Sequence, residues 1–186
     1  EMCIRDSIIL CILKGDDEMS TFIEITPESL EKSPFQLIGK EWMLVTAEKD
    51  GIVNTMTASW GGLGVMWGKN VAYVVIRPQR YTKEFVDGSD TFSLTFFAPE
   101  FKKQLGYLGK VSGRDEDKIQ KAGLTVAHSH ETPYFEEANL VMLCKKLYKQ
   151  PLNPEGFIES GIDEKWYPNK DYHEMYIVEI EKVLVK

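Results

Sequence analysis

A chain of 186 residues, 43% hydrophobic and 27% charged, has apolar material for one core and the polar surface of an ordinary soluble globular domain. Its 22 basic residues against 29 acidic ones leave a net charge of −7, with no long Lys/Arg run. Nucleic acid is therefore not an expected partner, and any bound anion must be held by a local basic site rather than by the global field.

Residues 1–18 differ from the rest. E-M-C-I-R-D-S resembles translated adaptor sequence, and the apolar run Ile8 to Leu13 that follows is too short for a signal peptide or a membrane span. We read 1–18 as a disordered or artefactual leader and 19–186, from Met19, as one domain. Cys3 and Cys11 fall in that leader, leaving Cys144 alone in the body. A lone cysteine forms no internal disulfide, so a cytoplasmic location is expected. Its place beside Val141-Met142-Leu143 marks it as an inert buried thiol.

Along the body, Thr26-Pro27-Glu28 predicts a short helix running to about Lys32. Trp42 to Glu48 and Ile52 to Ser59 are β-rich runs, and Asp50-Gly51 between them is a strong hairpin signal. Val71 to Ile76 reads as a buried strand, followed by a helix over Thr82 to Val86 that closes at Gly88. Thr91 to Phe97 reads as a strand, and Pro99 opens a helix to about Leu108. Strands over Leu124 to Ala127, Ala138 to Lys149 and Met175 to Val185 complete the set. Leu152 to Lys170, with its prolines and glycines, is the longest irregular piece and belongs at the surface, over a pocket or at a subunit contact. This succession predicts a mainly β domain, a small antiparallel barrel of six or seven strands with short helices at the connections. Neither a G-x-G-x-x-G turn nor a P-loop is present, which excludes the common nucleotide-binding folds.

Three segments carry candidate chemistry. In Asn54-Thr55-Met56-Thr57-Ala58-Ser59-Trp60 the hydroxyls of Thr55, Thr57 and Ser59 share one strand face. An edge strand with these hydroxyls facing solvent is the plainer reading of that pattern alone. The following Gly61-Gly62 allows a sharp turn and close backbone approach to a ligand, and Trp60 offers a flat surface to an aromatic ring. Arg77, Arg80, Tyr81 and Thr82 gather cationic and hydroxyl groups where a strand passes into a helix, the chemistry of a phosphate site; a solvated surface is the plainer alternative. Ser112-Gly113-Arg114-Asp115, with Asp117-Lys118, is either a loop leading into a helix or a third part of the same site. His128 and His130 lack a third ligand at metal spacing, so no metal site is predicted. His173 is read as structural.

In order and spacing, N-T-M-T-A-S-W-G-G, R-P-Q-R-Y-T, S-G-R-D-x-D-K and Y-P-N-K-D-Y-H resemble the flavin reductase-like family of FMN-binding split barrels, from about Pro34 to Lys186. The resemblance implies FMN bound at a homodimer interface. Asn54, Thr55, Met56, Thr57, Ala58, Ser59 and Trp60 would line the flavin. Arg77, Arg80, Tyr81 and Thr82 would hold the phosphate, and Ser112, Gly113 and Lys118 would lie toward the flavin or nicotinamide end. It implies hydride transfer from NAD(P)H to flavin, with no catalytic side chain required. An FMN electron carrier like the flavoredoxins, without efficient NAD(P)H turnover, is the alternative.

Overall fold

The computed structural model describes residues 22–186, so the leader expected at 1–18 lies outside the described residues. A short strand, β1 (Ile23–Ile25), comes first. The helix expected from Thr26 to Lys32 is only a 3-10 turn, Pro27–Ser29. Thr26 Oγ1 bonds Ser29 Oγ at 2.8 Å instead of capping, and Leu30 is already extended. Pro34 then disfavours helix at Ser33 before it. A helical piece, α1 (Pro34–Gln36), starts at that proline and runs on as a π-turn to Glu41.

The predicted hairpin joins β2 (Met43–Lys49) to β3 (Ile52–Ala58). Asp50 and Gly51 have φ of 54° and 75°, the pair of positive values that a type I′ turn demands. A second such turn, Trp67-Gly68 with φ of 53° and 68°, joins β4 (Gly61–Met66) to β5 (Lys69–Ile76). β4 was not expected, because glycines at 61, 62 and 64 give it little strand propensity. Tertiary packing requires them. A Cβ on Gly61 would stand 2.4 Å from Tyr73 O, and one on Gly62 the same distance from the Tyr73 ring.

The chain continues through α2 (Thr82–Gly88), β6 (Thr91–Phe96), a 3-10 turn at Pro99–Phe101, α3 (Lys102–Lys110) and α4 (Lys118–Lys121). Strands β7 (Val126–Ser129) and β8 (Thr132–Phe135) form a separate hairpin, and β8 was also unexpected. Last come β9 (Leu140–Pro151), α5 (Ile162–Trp166) and β10 (Glu174–Val185).

The fold is mainly antiparallel β, as expected, but the principal sheet has eight strands rather than six or seven. Its order is β3-β2-β6-β9-β10-β5-β4, with β1 added on β10. β10 is the spine. It pairs with β9 along its length, with β5 over Glu174 to Glu179 and with β1 over Val183 to Val185.

Alternation along the strands divides the core in two. Met43, Val45 and Ala47 of β2 point into the barrel with Phe92, Leu94, Phe96, Val74, Ile76 and Tyr176. Leu44 points the other way and packs with Leu105 and Leu108 of α3, Phe135 of β8, and Val141. Cys144 is buried in the inner cluster, and burial pushes its thiol pKa up. No helix among the described residues is long and apolar enough to cross a membrane.

Candidate functional site

β3 and β4 end the sheet on opposite sides and are linked through Ser59 and Trp60 without pairing to each other. A cleft of about 270 Å³ lies at this split. Met56 to Trp60 line it from β3, Val75 and Arg77 from the end of β5, and Arg80, Trp166 and His173 complete the wall. Among the described residues the outer edge of β3 has no partner strand, so it can offer backbone donors and acceptors to a planar heterocycle.

The hydroxyls of β3 divide. Thr55 is fully buried; it donates to Val45 O at 3.1 Å and lies 2.8 Å from Thr46 Oγ1, inside the barrel wall and away from the cleft. Thr57 reaches the cleft, but its proton goes to Leu105 O of α3 at 2.6 Å. Ser59 lines the cleft with no side-chain partner among the described residues.

Asn54, Met56 and Ala58 share the opposite face. Asn54 is buried, and its Nδ2 donates to Thr82 Oγ1 at 3.1 Å. That direction matters: the Thr82 hydroxyl accepts from the amide, so its own proton remains available. Thr82 does not cap α2, because Tyr81 ahead of it is already in helical conformation and no side-chain cap bond forms.

The turn over Arg77 to Tyr81 separates two arginines by function. The Arg77 guanidinium pairs with Asp171, donates to Trp166 O at 2.8 Å and lies over the Tyr167 ring. Gln79 Nε2 also donates to Asp171, at 2.7 Å. Arg77 therefore fastens the segment that follows β9 to the cleft rim. Arg80 forms no ion pair among the described residues; its Nη1 donates to Gly109 O of α3 at 2.7 Å. Burial, and then Arg77, hold the Arg80 pKa below its usual value.

The loop over Ser112 to Asp117 is latched onto this end of the cleft. Gly113 presses on Asn54 so closely that a Cβ would stand 2.3 Å from Asn54 Oδ1. Arg114 covers the Tyr81 ring, with its carbon 4.3 Å from the ring centre, and pairs with Glu84. Ser112 Oγ accepts from Arg114 N at 3.2 Å, which holds the turn. Lys118, expected near an open ring face, is buried with its ammonium on the carbonyls of Leu108 and Val111.

Two further residues complete the wall: His173, read from the sequence as structural, and Trp166, in the irregular segment expected over a pocket. His173 is 8% exposed and lines the cleft. Its Nδ1 lies 2.8 Å from the Tyr167 hydroxyl, and its ring is 5.1 Å from that of Trp60. Burial and the Arg77 charge push its pKa down to about 4, so it is neutral at neutral pH. Trp166 meets Trp60 edge-on at 5.0 Å, bringing the irregular segment against the cleft. The clustering of Trp166, Tyr167 and Tyr172 is the sequence signal that this segment covers the cleft. Among the described residues no group of three or more acidic, His or Cys side chains stands ready for a metal. His128 pairs with Glu48 instead, at 2.5 Å.

The donor set suits a phosphorylated planar cofactor. Among the described residues Arg80 and Lys118 lie near each other without a carboxylate on either, Thr82 has a proton to give, and an unpaired strand edge adjoins an aromatic wall. The fold is that of the flavin reductase-like split barrels. The flavin reductase like domain model matches residues 35–186, and the chain belongs to that family.

Solved structures agree on the fold. An FMN-binding domain of a flavin reductases-like enzyme from Shewanella baltica superposes with a TM-score of 0.65 at 18% identity, over 89% of this chain and 77% of that one. Flavoredoxin of Desulfovibrio vulgaris gives 0.61 at 23% identity, covering 78% and 69% of the two chains. An FMN-binding protein from Thermus thermophilus, solved with p-hydroxybenzaldehyde, gives 0.62 at 19% identity, over 94% and 82%. No curated protein matches the chain.

Proposed function

We propose that the chain binds FMN in the cleft at the free edge of β3 and serves as an NAD(P)H-dependent flavin oxidoreductase. The observation that carries the binding site is the Arg80–Lys118 cation pair, without a counter-ion among the described residues, beside the Thr82 hydroxyl. Arg80 and Thr82 would bind the phosphate, with Tyr81 and the Ser112–Gly113 turn closing that end. Arg77 would take its place at the rim, sharing its charge between Asp171 and the ligand. The backbone of Asn54 to Trp60 would orient the ring edge, and Ser59 would meet one of its polar atoms. Trp60, Trp166 and neutral His173 would exclude water beside the ring without adding charge.

FMN held there would supply a two-electron centre able to accept hydride from a dihydronicotinamide. The protein's part is orientation, shielding and electrostatics. The alternative is an FMN electron carrier, favoured by the flavoredoxin likeness. Purified protein should be yellow. Anaerobic rapid mixing with NADH or NADPH should bleach the flavin absorbance, and air or free flavin should restore it. Bleaching by dithionite alone would select the carrier reading.

The cleft is open on one side, and a second copy of the chain would close it, so a homodimer is the proposed working unit. A monomer by light scattering that still binds FMN tightly would count against this. We place the protein in the reducing cytoplasm, and residues 19–186 as the folding unit. A chain starting at Met19 should keep its melting temperature.

A further inference from the structure

The last turn of α3 is held in an unusual way. Its carbonyls are taken by two cations from outside the helix: Lys118 Nζ donates to Leu108 O at 3.1 Å and Val111 O at 2.9 Å, and Arg80 Nη1 donates to Gly109 O at 2.7 Å. Cations suit a helix C-terminus, where unsatisfied carbonyls carry partial negative charge. What is unusual is the missing acid. Neither Lys118 nor Arg80 forms an ion pair among the described residues, although Lys118 is 4% exposed.

The neighbouring acids do not pair with either cation: Asp115 is exposed, and three others are engaged elsewhere. Glu116 binds Tyr107 and Lys121, Asp117 accepts from Gln120 N, and Glu84 is taken by Arg114. Lys110 is exposed at the end of α3. Arg80 is thus the charged group that bears on Lys118.

We propose that Lys118 is a positioning residue of the anion site: it clamps the end of α3 that anchors Arg80 and leaves two adjacent cations for the ligand's phosphate to neutralise. The inference rests on the FMN reading above and adds a regulatory property. Burial, and then Arg80, push the Lys118 pKa down to about 8. Arg80 keeps its charge throughout the accessible range, so Lys118 is the member of the pair that titrates. Preference for a phosphorylated over an unphosphorylated flavin should therefore decline as pH rises through 8 to 9.5. An ordinary surface lysine, ionising near 10.4, would leave it flat there.

The test measures dissociation constants for FMN and riboflavin by flavin fluorescence between pH 6.5 and 9.5. The ratio of the two cancels any titration of the ring itself. Native protein should lose roughly tenfold of its FMN preference across this range. Lys118→Met should show that lower preference already at pH 7, with no further pH dependence. Lys118→Arg, whose charge does not titrate, should restore the preference and hold it to pH 9.5; if the Met variant fails to fold, native protein against the Arg variant decides. A flat native profile, or a Lys118→Met protein with native preference, overturns the role of Lys118. Arg80→Ala separates the two levels of inference. If it weakens FMN and riboflavin equally, the phosphate reading itself fails.

Discussion

Asn54 on β3 donates its side-chain amide to Thr82 Oγ1 on the first turn of α2, 3.1 Å away and buried from solvent. One hydrogen bond joins the two segments proposed to hold the flavin and its phosphate, and its polarity leaves the Thr82 proton uncommitted to Asn54. Asn54→Ala should weaken FMN about tenfold, by about 1.4 kcal/mol, and riboflavin less. Asn54→Asp should be worse, because the carboxylate would draw the Thr82 proton to itself and place a negative charge near the phosphate. Fluorescence titration of the two variants checks this. An Asp variant that binds like the Ala variant would remove the significance of polarity.

Gly113 and Asn54 form a steric lock. Gly113→Ala would set a methyl group on Asn54 Oδ1 and should destabilise the protein by about 1–3 kcal/mol, as overpacking does. The same change should cost less in an Asn54→Ala background, because the obstructing atom is gone. Urea unfolding of the four proteins in the cycle measures the coupling. Additive effects would show that the loop simply moves aside.

The Arg77–Asp171 pair pins the segment after β9 to the cleft rim. Both groups are partly exposed, so Asp171→Asn should change global stability by no more than about 1 kcal/mol. Local opening should rise more. Trypsin should cut after Lys165 or Lys170 faster than in the native protein, with Trp fluorescence shifted by separation of Trp60 from Trp166. Unchanged proteolysis would mean that the aromatic contacts alone hold the segment.

His173 predicts a pH dependence of stability. Its folded pKa, about 4, lies below the ordinary value of 6.5, so between these limits the unfolded chain binds more protons. The contribution of neutral His173 is complete above about pH 6.5 and is lost as pH falls toward 4, at most on the order of 3 kcal/mol. His173→Gln should flatten the slope of melting temperature against pH in that window. An identical slope would assign the effect to carboxylates.

Patterns local in the chain carried most of the fold. Asp50-Gly51 announced its hairpin because only positive φ closes a two-residue turn; Val71 to Ile76 read as a strand because nothing charged interrupts it, but only one of its faces is buried, with Tyr73 exposed and Val75 partly so on the other. Arg80, Thr82 and the strand proposed to line the flavin were legible as residue types with a family-like spacing. β4 was not legible. Its glycines look like a turn in one dimension and become a strand only because the Tyr73 carbonyl and ring leave no room for a side chain.

The assignment of each cation also waited for the fold. Arg77, Arg80 and Lys118 are chemically alike as letters, but partners distant in sequence separate them. Asp171 claims the first, and the carbonyl end of α3 gathers the other two. His173 shows the same dependence: a histidine near the start of the last strand becomes a neutral wall of the cleft only when Tyr167, Trp60 and the Arg77 charge are packed around it. Sequence determined which chemistry was present and where strands and turns could form, because those depend on backbone conformation and side-chain period. Tertiary structure decided which charges are neutralised and which stay open, because that depends on contacts across long stretches of chain.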